Sequence, residues 1–273
     1  MQTRARAKRS GDTGGTLFVG SVEKGFRVLH AFRRAQSELG LSDLSLTEIA
    51  KLAELDKSAA QRFTNTLVQL GFLDKDARTR RYRPAIGLTE FYHTYVISNR
   101  LAELAMSRLI EASKVYDTTV NLAEPSGTGI IYTIRIPHQK AYYNATIAGR
   151  WMPAYCTASG IVILANRPRE EAEAILAASD MKPRTQWTVT DPERIRARIE
   201  TARETGYDIG LQQSLKHEIS TAAPVLDSDG KAIGAVQIPV YMPSWGQEEV
   251  EEKIVPLAIE TARAISGSLS GET

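Results

Sequence analysis

A single cysteine, Cys156, occurs in this chain of 273 residues. One cysteine excludes an internal disulfide framework and fits a reducing compartment, so a cytoplasmic setting is expected. Long apolar runs are missing too, and none approaches the ~20 residues that a transmembrane helix needs. The first residues carry charge but no apolar core followed by a cleavage site, so no secretory signal is expected. Histidine is scarce, and His30, His93, His138 and His217 stand far apart. There is no His-Glu-x-x-His, Cys-x-x-Cys or Gly-x-Ser-x-Gly spacing, so neither a metal centre nor a nucleophilic enzyme site is expected, and no cofactor. The Gly127-Thr128-Gly129 stretch lacks the Gly-Lys-Ser and following helix of a phosphate loop.

Charge is present but unevenly placed. Residues 1–100 hold 17 Lys+Arg against 10 Asp+Glu, and the remainder holds 17 against 22, which makes the two parts +7 and −5. A polyanionic partner therefore belongs at the N-terminal end. Residues 1–18, with Arg4, Arg6, Lys8 and Arg9 followed by Gly11, Gly14 and Gly15, read as a disordered basic arm. At this length two domains are expected.

The most informative stretch is Ser45 to Leu73. Ser45 with Glu48 three residues on forms a capping box, and Leu46, Ile49, Ala50 and Ala53 supply one apolar stripe of a helix ending near Glu54-Leu55. Asp56 then caps a second helix from Lys57. At about 100° per residue, Ala60, Phe63, Leu67 and Leu70 share one side of it. Ser58, Gln61, Arg62, Asn65 and Gln69 share the opposite side, and Gly71 stops the helix. Phe72–Lys75 and Arg80–Arg83 are expected to pair as a hairpin around Asp76-Ala77-Arg78-Thr79, a wing with four arginines. A helix pair with a polar second helix beside an arginine-rich wing suits double-stranded DNA, the helix in the major groove and the wing on phosphates. A solvated amphipathic pair is the plainer alternative for the helices alone.

Around this unit, Val22, Phe26, Leu29 and Phe32 predict the buried stripe of a bracing helix over Val22 to Arg34. Residues 19–84 are expected to form the winged domain and 85–100 a linker helix, with Ile86, Leu88, Phe91, Tyr92, Tyr95 and Val96 apolar on more than one side. So greasy a helix should be covered by a second copy or by the following domain. A further helix is expected over Leu101 to Tyr116. Beyond Asp117, strands are expected at Thr118–Ala123, Ile130–Ile136, Ala141–Ile147, Ile219–Leu226 and Ala232–Tyr241, with Gly206–Gly210 a strand or loop. Helices are expected at Ser159–Ala165, Arg169–Ala178 and Asp191–Thr205, and a terminal one from Glu248 to Ser266 kinked at Pro256. Residues 101–273 thus read as an α+β domain around a mixed or antiparallel sheet.

These residues resemble the IclR family of bacterial transcriptional regulators. The resemblance rests on Ser21-Val22-Glu23-Lys24-Gly25-Phe26-Arg27-Val28-Leu29, Leu46-Thr47-Glu48-Ile49-Ala50, Lys57-Ser58, Leu70-Gly71-Phe72-Leu73 and Arg81-Tyr82-Arg83. It continues through Asn121-Leu122-Ala123, Thr157-Ala158-Ser159-Gly160, Gly206-Tyr207, Ala222-Ala223-Pro224-Val225 and Asp229-Gly230, over about residues 19–268. It implies a winged helix-turn-helix domain, a linker helix and a GAF-like α/β effector-binding domain for a small organic or aromatic acid. It also implies a homodimer or dimer of dimers on operator DNA near catabolic genes, with no membrane partner. By that resemblance Thr157, Ala158, Ser159, Ser220 and Gln237 line the effector pocket. The chain departs from the family's usual pattern over Gln212–Ser220, where Ser220 replaces a frequent cysteine, and at Gln237 and Pro239, often serines.

The residues expected to meet DNA are Thr47, Lys57, Ser58, Gln61, Arg62, Asn65, Arg78, Arg80 and Arg81. Arg62 can pair with guanine, and Gln61 or Asn65 with adenine; phosphate contact is the equal alternative for Arg62 and Ser58. The wing arginines suit the backbone more than the bases. Trp151 and Tyr155 offer apolar walls and a phenol to an effector pocket, with His217 beside them, against the plainer reading of core aromatics and a surface histidine. Cys156 reads as a small buried hydrophobe. The rival function is a ligand-independent DNA-binding protein whose C-terminal domain serves only for oligomerisation.

Overall fold

Ser45 and Glu48 close their capping box in the computed structural model, which describes residues 17–138 and 147–271. The Ser45 hydroxyl accepts from the Glu48 amide at 3.3 Å, and the Glu48 carboxylate accepts from the Ser45 amide at 2.7 Å. This starts α2 (Leu46–Leu52), which ends earlier than the periodicity suggests because Glu54 adopts φ +53. Asp56 accepts from the Ala59 amide at 2.8 Å and starts α3 (Lys57–Gln69). Both pack on α1 (Gly20–Leu39). Guanidinium groups from α1 cap the end of α2: Arg34 donates to the Leu52 carbonyl at 2.9 Å and Arg27 to that of Glu54 at 2.8 Å.

The core of this unit joins Val28, Ala31, Phe32 and Ala35 to Leu44, Ile49, Ala53, Leu67, Leu73 and Tyr82. Two expectations are corrected here. Val22 and Phe26 are exposed, because α1 is apolar on two faces and α2 and α3 approach the one where alanines leave room. Leu70 is exposed as well, since as the C-cap residue it lies past the helix crossing, and Thr64 takes the buried place.

The wing pairs β1 (Leu73–Lys75) with β2 (Tyr82–Pro84), antiparallel, and Leu44 bridges to Tyr82. Its strands are shorter than expected because the loop runs on to Arg80, at φ +58, while Asp76 accepts from the amides of Arg78 and Thr79 at 2.9 and 2.6 Å. Helix α4 (Leu88–Ser98) starts two residues after the expected Ile86 and has no buried residue. The chain divides into two compact units within α4, between His93 and Thr94. The arm of residues 1–18 lies outside the described residues except for Leu17 and Phe18.

The second unit is built on a six-stranded sheet in the order β5-β4-β3-β8-β7-β6, antiparallel at every pairing. The strands are β3 (Val120–Ser126), β4 (Gly129–Ile136), β5 (Trp151–Pro153), β6 (Asp208–Leu211), β7 (Glu218–Leu226) and β8 (Ala232–Tyr241). The β3–β4 and β7–β8 hairpins turn where glycine allows, Gly127 at φ +59 and Gly230 at φ +75. Of the expected strand at Ala141–Ile147 only Ile147 is among the described residues, and it is not in a strand.

Alternation along the strands gives the sheet two apolar faces. On one, Val120, Leu122, Ile219, Ala223, Val236 and Ile238 pack against α5 (Arg100–Val115) and α10 (Val255–Ser270). On the other, Ala123, Ala222 and Ala235 pack against α6 (Ala158–Ala165), with α7 (Arg169–Ala177) and α8 (Pro192–Thr205) completing that layer. Every residue of α6 is buried, which a helix apolar all round requires. Gly160 lets it do so, because a Cβ there would fall inside the Ala154 backbone. The terminal helix carries a change of helical type just before Pro256. After α9 (Gln247–Glu249) it widens into a π turn at Val250–Ile254, which places Pro256 in the first turn of α10, where its missing amide costs no hydrogen bond.

Candidate nucleic-acid interface and ligand site

The two ends of Asp56-capped α3 show how the first candidate surface is made. Packing buries Ala59, Ala60, Thr64 and Leu67, and the helical period then turns Lys57, Ser58, Gln61, Arg62 and Asn65 outward together. Their side chains form no hydrogen bond or ion pair among the described residues, and Thr47 at the start of α2 is exposed likewise. Arg78 and Arg80 are exposed at the tip of the wing, and their side chains have no partner among the described residues. Arg81 differs. Its Nε donates to Asp43 at 2.7 Å, and its Nη2 to the Asp43 carbonyl and to Glu48, each at 3.0 Å. The Asp43 hydrogen bond above all raises its pKa, so this arginine ties the wing to the α2 capping box. Arg83 pairs with Asp74 at 3.3 Å.

In the second unit the sequence-predicted pocket residues separate into two groups. Tyr155 is fully buried and donates its hydroxyl to the Lys182 carbonyl, and burial raises its pKa. Trp151 donates Nε1 to the Ser126 carbonyl at 3.1 Å and covers Gly129. His217 is exposed at φ +60, its ring edge-on to Tyr241 at 6.2 Å. Burial pushes the Cys156 thiol up to about 11, which disfavours the reactive thiolate. Tyr155 and Trp151 are thus tied to backbone carbonyls within the unit, and His217 lies at its surface.

The others gather on the α6 side of the sheet. Thr157 caps α6, accepting from the Gly160 amide at 3.2 Å while donating to the Pro153 carbonyl at 3.0 Å. Ala158 and Ser159 follow, both buried, and the Ser159 hydroxyl oxygen has no hydrogen-bond partner among the described residues. A helix N-terminus with an unpartnered hydroxyl is suited to an anion. Beneath it runs a polar ladder across four strands. Arg135 on β4 donates to Asn121 on β3 at 3.5 Å, Asn121 donates to Gln237 on β8, and Gln237 donates to Ser220 on β7 at 2.6 Å. Asn121, Gln237 and Ser220 are buried, so each amide and hydroxyl needs the next.

Four residues of this face escaped the reading of the sequence: Asn121, Tyr132, Arg135 and Glu218, together with Arg150 just before β5. Strand alternation was the available signal. Glu218 lies two residues before Ser220, and Arg135 is directly opposite Asn121, which is directly opposite Gln237. Desolvation raises the Glu218 pKa to about 7, against the pull of Arg150 and Arg135. Desolvation lowers the pKa of both arginines. Among the described residues no group of three or more His, Cys, Asp or Glu side chains could hold a metal ion, and no helix is long and apolar enough to cross a membrane.

Comparison with known proteins agrees with this architecture. Residues 21–77 match the IclR helix-turn-helix domain, and residues 93–267 match the domain described as bacterial transcriptional regulator IclR C-terminal. The Pca regulon regulatory protein of Pseudomonas putida is 28% identical over 263 residues, covering 95% of this chain and 87% of its own. A transcriptional regulator structure from Rhodococcus sp. RHA1 superposes with a TM-score of 0.72 at 26% identity, covering 92% of this chain and 98% of that one. An IclR homologue from Microbacterium hydrocarbonoxydans, complexed with 4-hydroxybenzoate, shares the fold with a TM-score of 0.68 at 22% identity, covering 91% and 98%.

Proposed function

The chain belongs to the IclR family of bacterial transcriptional regulators, and from that premise we propose that a small organic or aromatic acid sets its affinity for operator DNA. The observation that carries this reading is the outward row on α3, whose polar and basic side chains form no hydrogen bond or ion pair among the described residues. Such a row fits the major groove, with Gln61, Arg62 and Asn65 at base edges and Lys57, Ser58 and Thr47 at phosphates. Arg78 and Arg80 reach the backbone from the wing.

The acid sits at the N-terminus of α6, with Ser159 and the Asn121–Gln237–Ser220 ladder around it. Relatives support an acid by what they are named for and were crystallised with, the Pca regulon and 4-hydroxybenzoate. Residues 19–84 read DNA, residues 101–273 bind the effector and assemble the oligomer, and residues 85–100 connect the two. The exposed side chains of α4 are covered by a second copy in a dimer or dimer of dimers. Ligand control requires only that the acid bind one arrangement of the dimer more tightly than another. The far end of α4 is well tied for that purpose. Tyr95 donates to Glu124 at 2.8 Å and Asn99 at 2.9 Å, while Thr133 donates to the same carboxylate at 2.5 Å. The regulator is expected to work in the cytoplasm, without enzymatic activity, metal or cofactor.

Anisotropy titration of the intergenic DNA beside the gene tests both halves. Arg62→Ala should weaken binding about 5- to 150-fold at physiological salt with unchanged melting temperature. Unchanged affinity would refute the assignment. A panel of carboxylic and aromatic acids should include one that shifts the DNA titration; no shift by any of them favours a ligand-independent DNA-binding protein.

A further inference from the structure

Acidic side chains decide where the basic side chains of the wing stand. Arg81, just before β2, is held at the helix pair: its Nε donates to the Asp43 carboxylate at 2.7 Å, and its Nη2 to the Asp43 carbonyl and the Glu48 carboxylate, each at 3.0 Å. The next residues along, Leu44 and Tyr82, exchange backbone hydrogen bonds of 2.8 Å in both directions. Asp43-Leu44 thus grips the base of the wing by side chain and backbone together. At the tip, one Asp76 carboxylate oxygen accepts from the Arg78 amide, the Thr79 amide and the Thr79 hydroxyl, at 2.9, 2.6 and 2.9 Å. The Asp76 backbone closes the same turn, accepting from the Arg80 amide and donating to the Arg81 carbonyl, each at 2.9 Å. These bonds hold Arg80 at φ +58, a conformation that residues with a Cβ seldom adopt.

The four arginines of the wing therefore divide. Arg81 and Arg83 are engaged by carboxylates, Arg83 by Asp74 at 3.3 Å. Arg78 and Arg80 stand exposed in the turn that Asp76 closes, and their side chains have no partner among the described residues. By charge alone Asp43 and Asp76 repel phosphate, so their loss should tighten DNA binding. We propose the opposite: Asp43 and Asp76 are positioning residues for DNA binding, Asp43 fixing the base of the wing through Arg81 and Asp76 fixing its turn, so that Arg78 and Arg80 reach phosphates while α3 is in the groove. Arg81 itself makes no phosphate contact. This rests on the DNA reading given above and gives a role in it to residues of the opposite charge.

The test is an anisotropy titration of the full-length protein against a random-sequence DNA duplex of about 30 base pairs, repeated between about 50 and 200 mM salt, where phosphate contacts set the slope of log affinity against log salt. Asp43→Ala and Asp76→Ala should each weaken binding, although each removes a negative charge, and flatten that slope by about 2, the share of two phosphate contacts. Arg81→Ala should do the same, and Asp43→Ala combined with Arg81→Ala should be no worse than either alone, because the two residues act as one unit. Asp76→Asn, which keeps the accepting oxygen of the turn, should retain the wild-type slope. Tighter binding by Asp43→Ala would overturn the assignment, since a freed Arg81 would then be taking a phosphate itself. Weaker binding with an unchanged slope reports a loss of folded protein alone and overturns it too. If the wild-type protein binds no duplex across this range, the DNA reading fails along with the assignment; if it binds and the variants match it, the assignment alone fails.

Discussion

On α3 the side chains of Lys57, Ser58, Gln61, Arg62 and Asn65 are exposed and bond to nothing among the described residues, whereas on the central sheet Asn121, Gln237 and Ser220 are buried and bond to one another. Water satisfies the first set, so the fold places no demand on it and leaves it free for a partner. No water-accessible surface satisfies the second, so each group must have a neighbour or be costly. An unpartnered group therefore says little on α3 and a great deal in the second unit, where the buried Ser159 hydroxyl lacks a hydrogen-bond partner among the described residues.

The contrast breaks most sharply at the buried pair of Arg198 and Asp208, joined by two hydrogen bonds of 2.7 and 2.5 Å. Asp208→Ala leaves the Arg198 charge largely buried and should cost about 3–5 kcal/mol in a denaturant titration followed by a signal from the C-terminal unit. A cost below that of an ordinary surface change would mean that water reaches the pair.

Glu218 sharpens the comparison by pH. Its folded pKa of about 7 lies above the ordinary 4.5, so the folded state holds this proton more firmly than the unfolded one. Stability should fall as pH rises from about 4.5 to 7 and level off beyond, by about 1–3 kcal/mol after allowance for its partial exposure. Glu218→Gln should remove that slope; an unaltered slope would assign it to other groups.

The smallest effects belong to the wing, where the same residue type is used in both ways. Arg81→Ala should lower the melting temperature of the N-terminal unit, because it releases Asp43 and Glu48. Arg78→Ala should leave stability unchanged and reduce the slope of log affinity for DNA against log salt by about 1. Identical behaviour of the two variants would show that Arg81 has no tethering role.

Local chemistry was the legible part. The Ser45–Glu48 capping box, the Asp56 cap, the outward face of α3, the hairpin at Asp227–Gly230 and the span of β8 all follow from residues within a few positions of one another. The misread places are those where a distant element chose between local possibilities. Helix α1 offers two apolar faces, and its contacts with α2 and α3 decided that Val28 and Ala31 lie inside while Val22 and Phe26 lie outside. Arg81 looks like its neighbours until Asp43, 38 residues away, claims it. The ladder from Arg135 to Ser220 depends on the strand order β4-β3-β8-β7, which joins residues up to 116 positions apart.

The sequence by itself therefore determined the family, the two-part organisation, the helix pair and the side of α3 that stays polar, because short-range periodicity and capping need no distant partner. Only the tertiary structure decided which arginines are spent inside the chain and which polar groups meet across the sheet. Burial and pairing of charge are properties of residues brought together in space, and no local pattern encodes which strand will lie beside which.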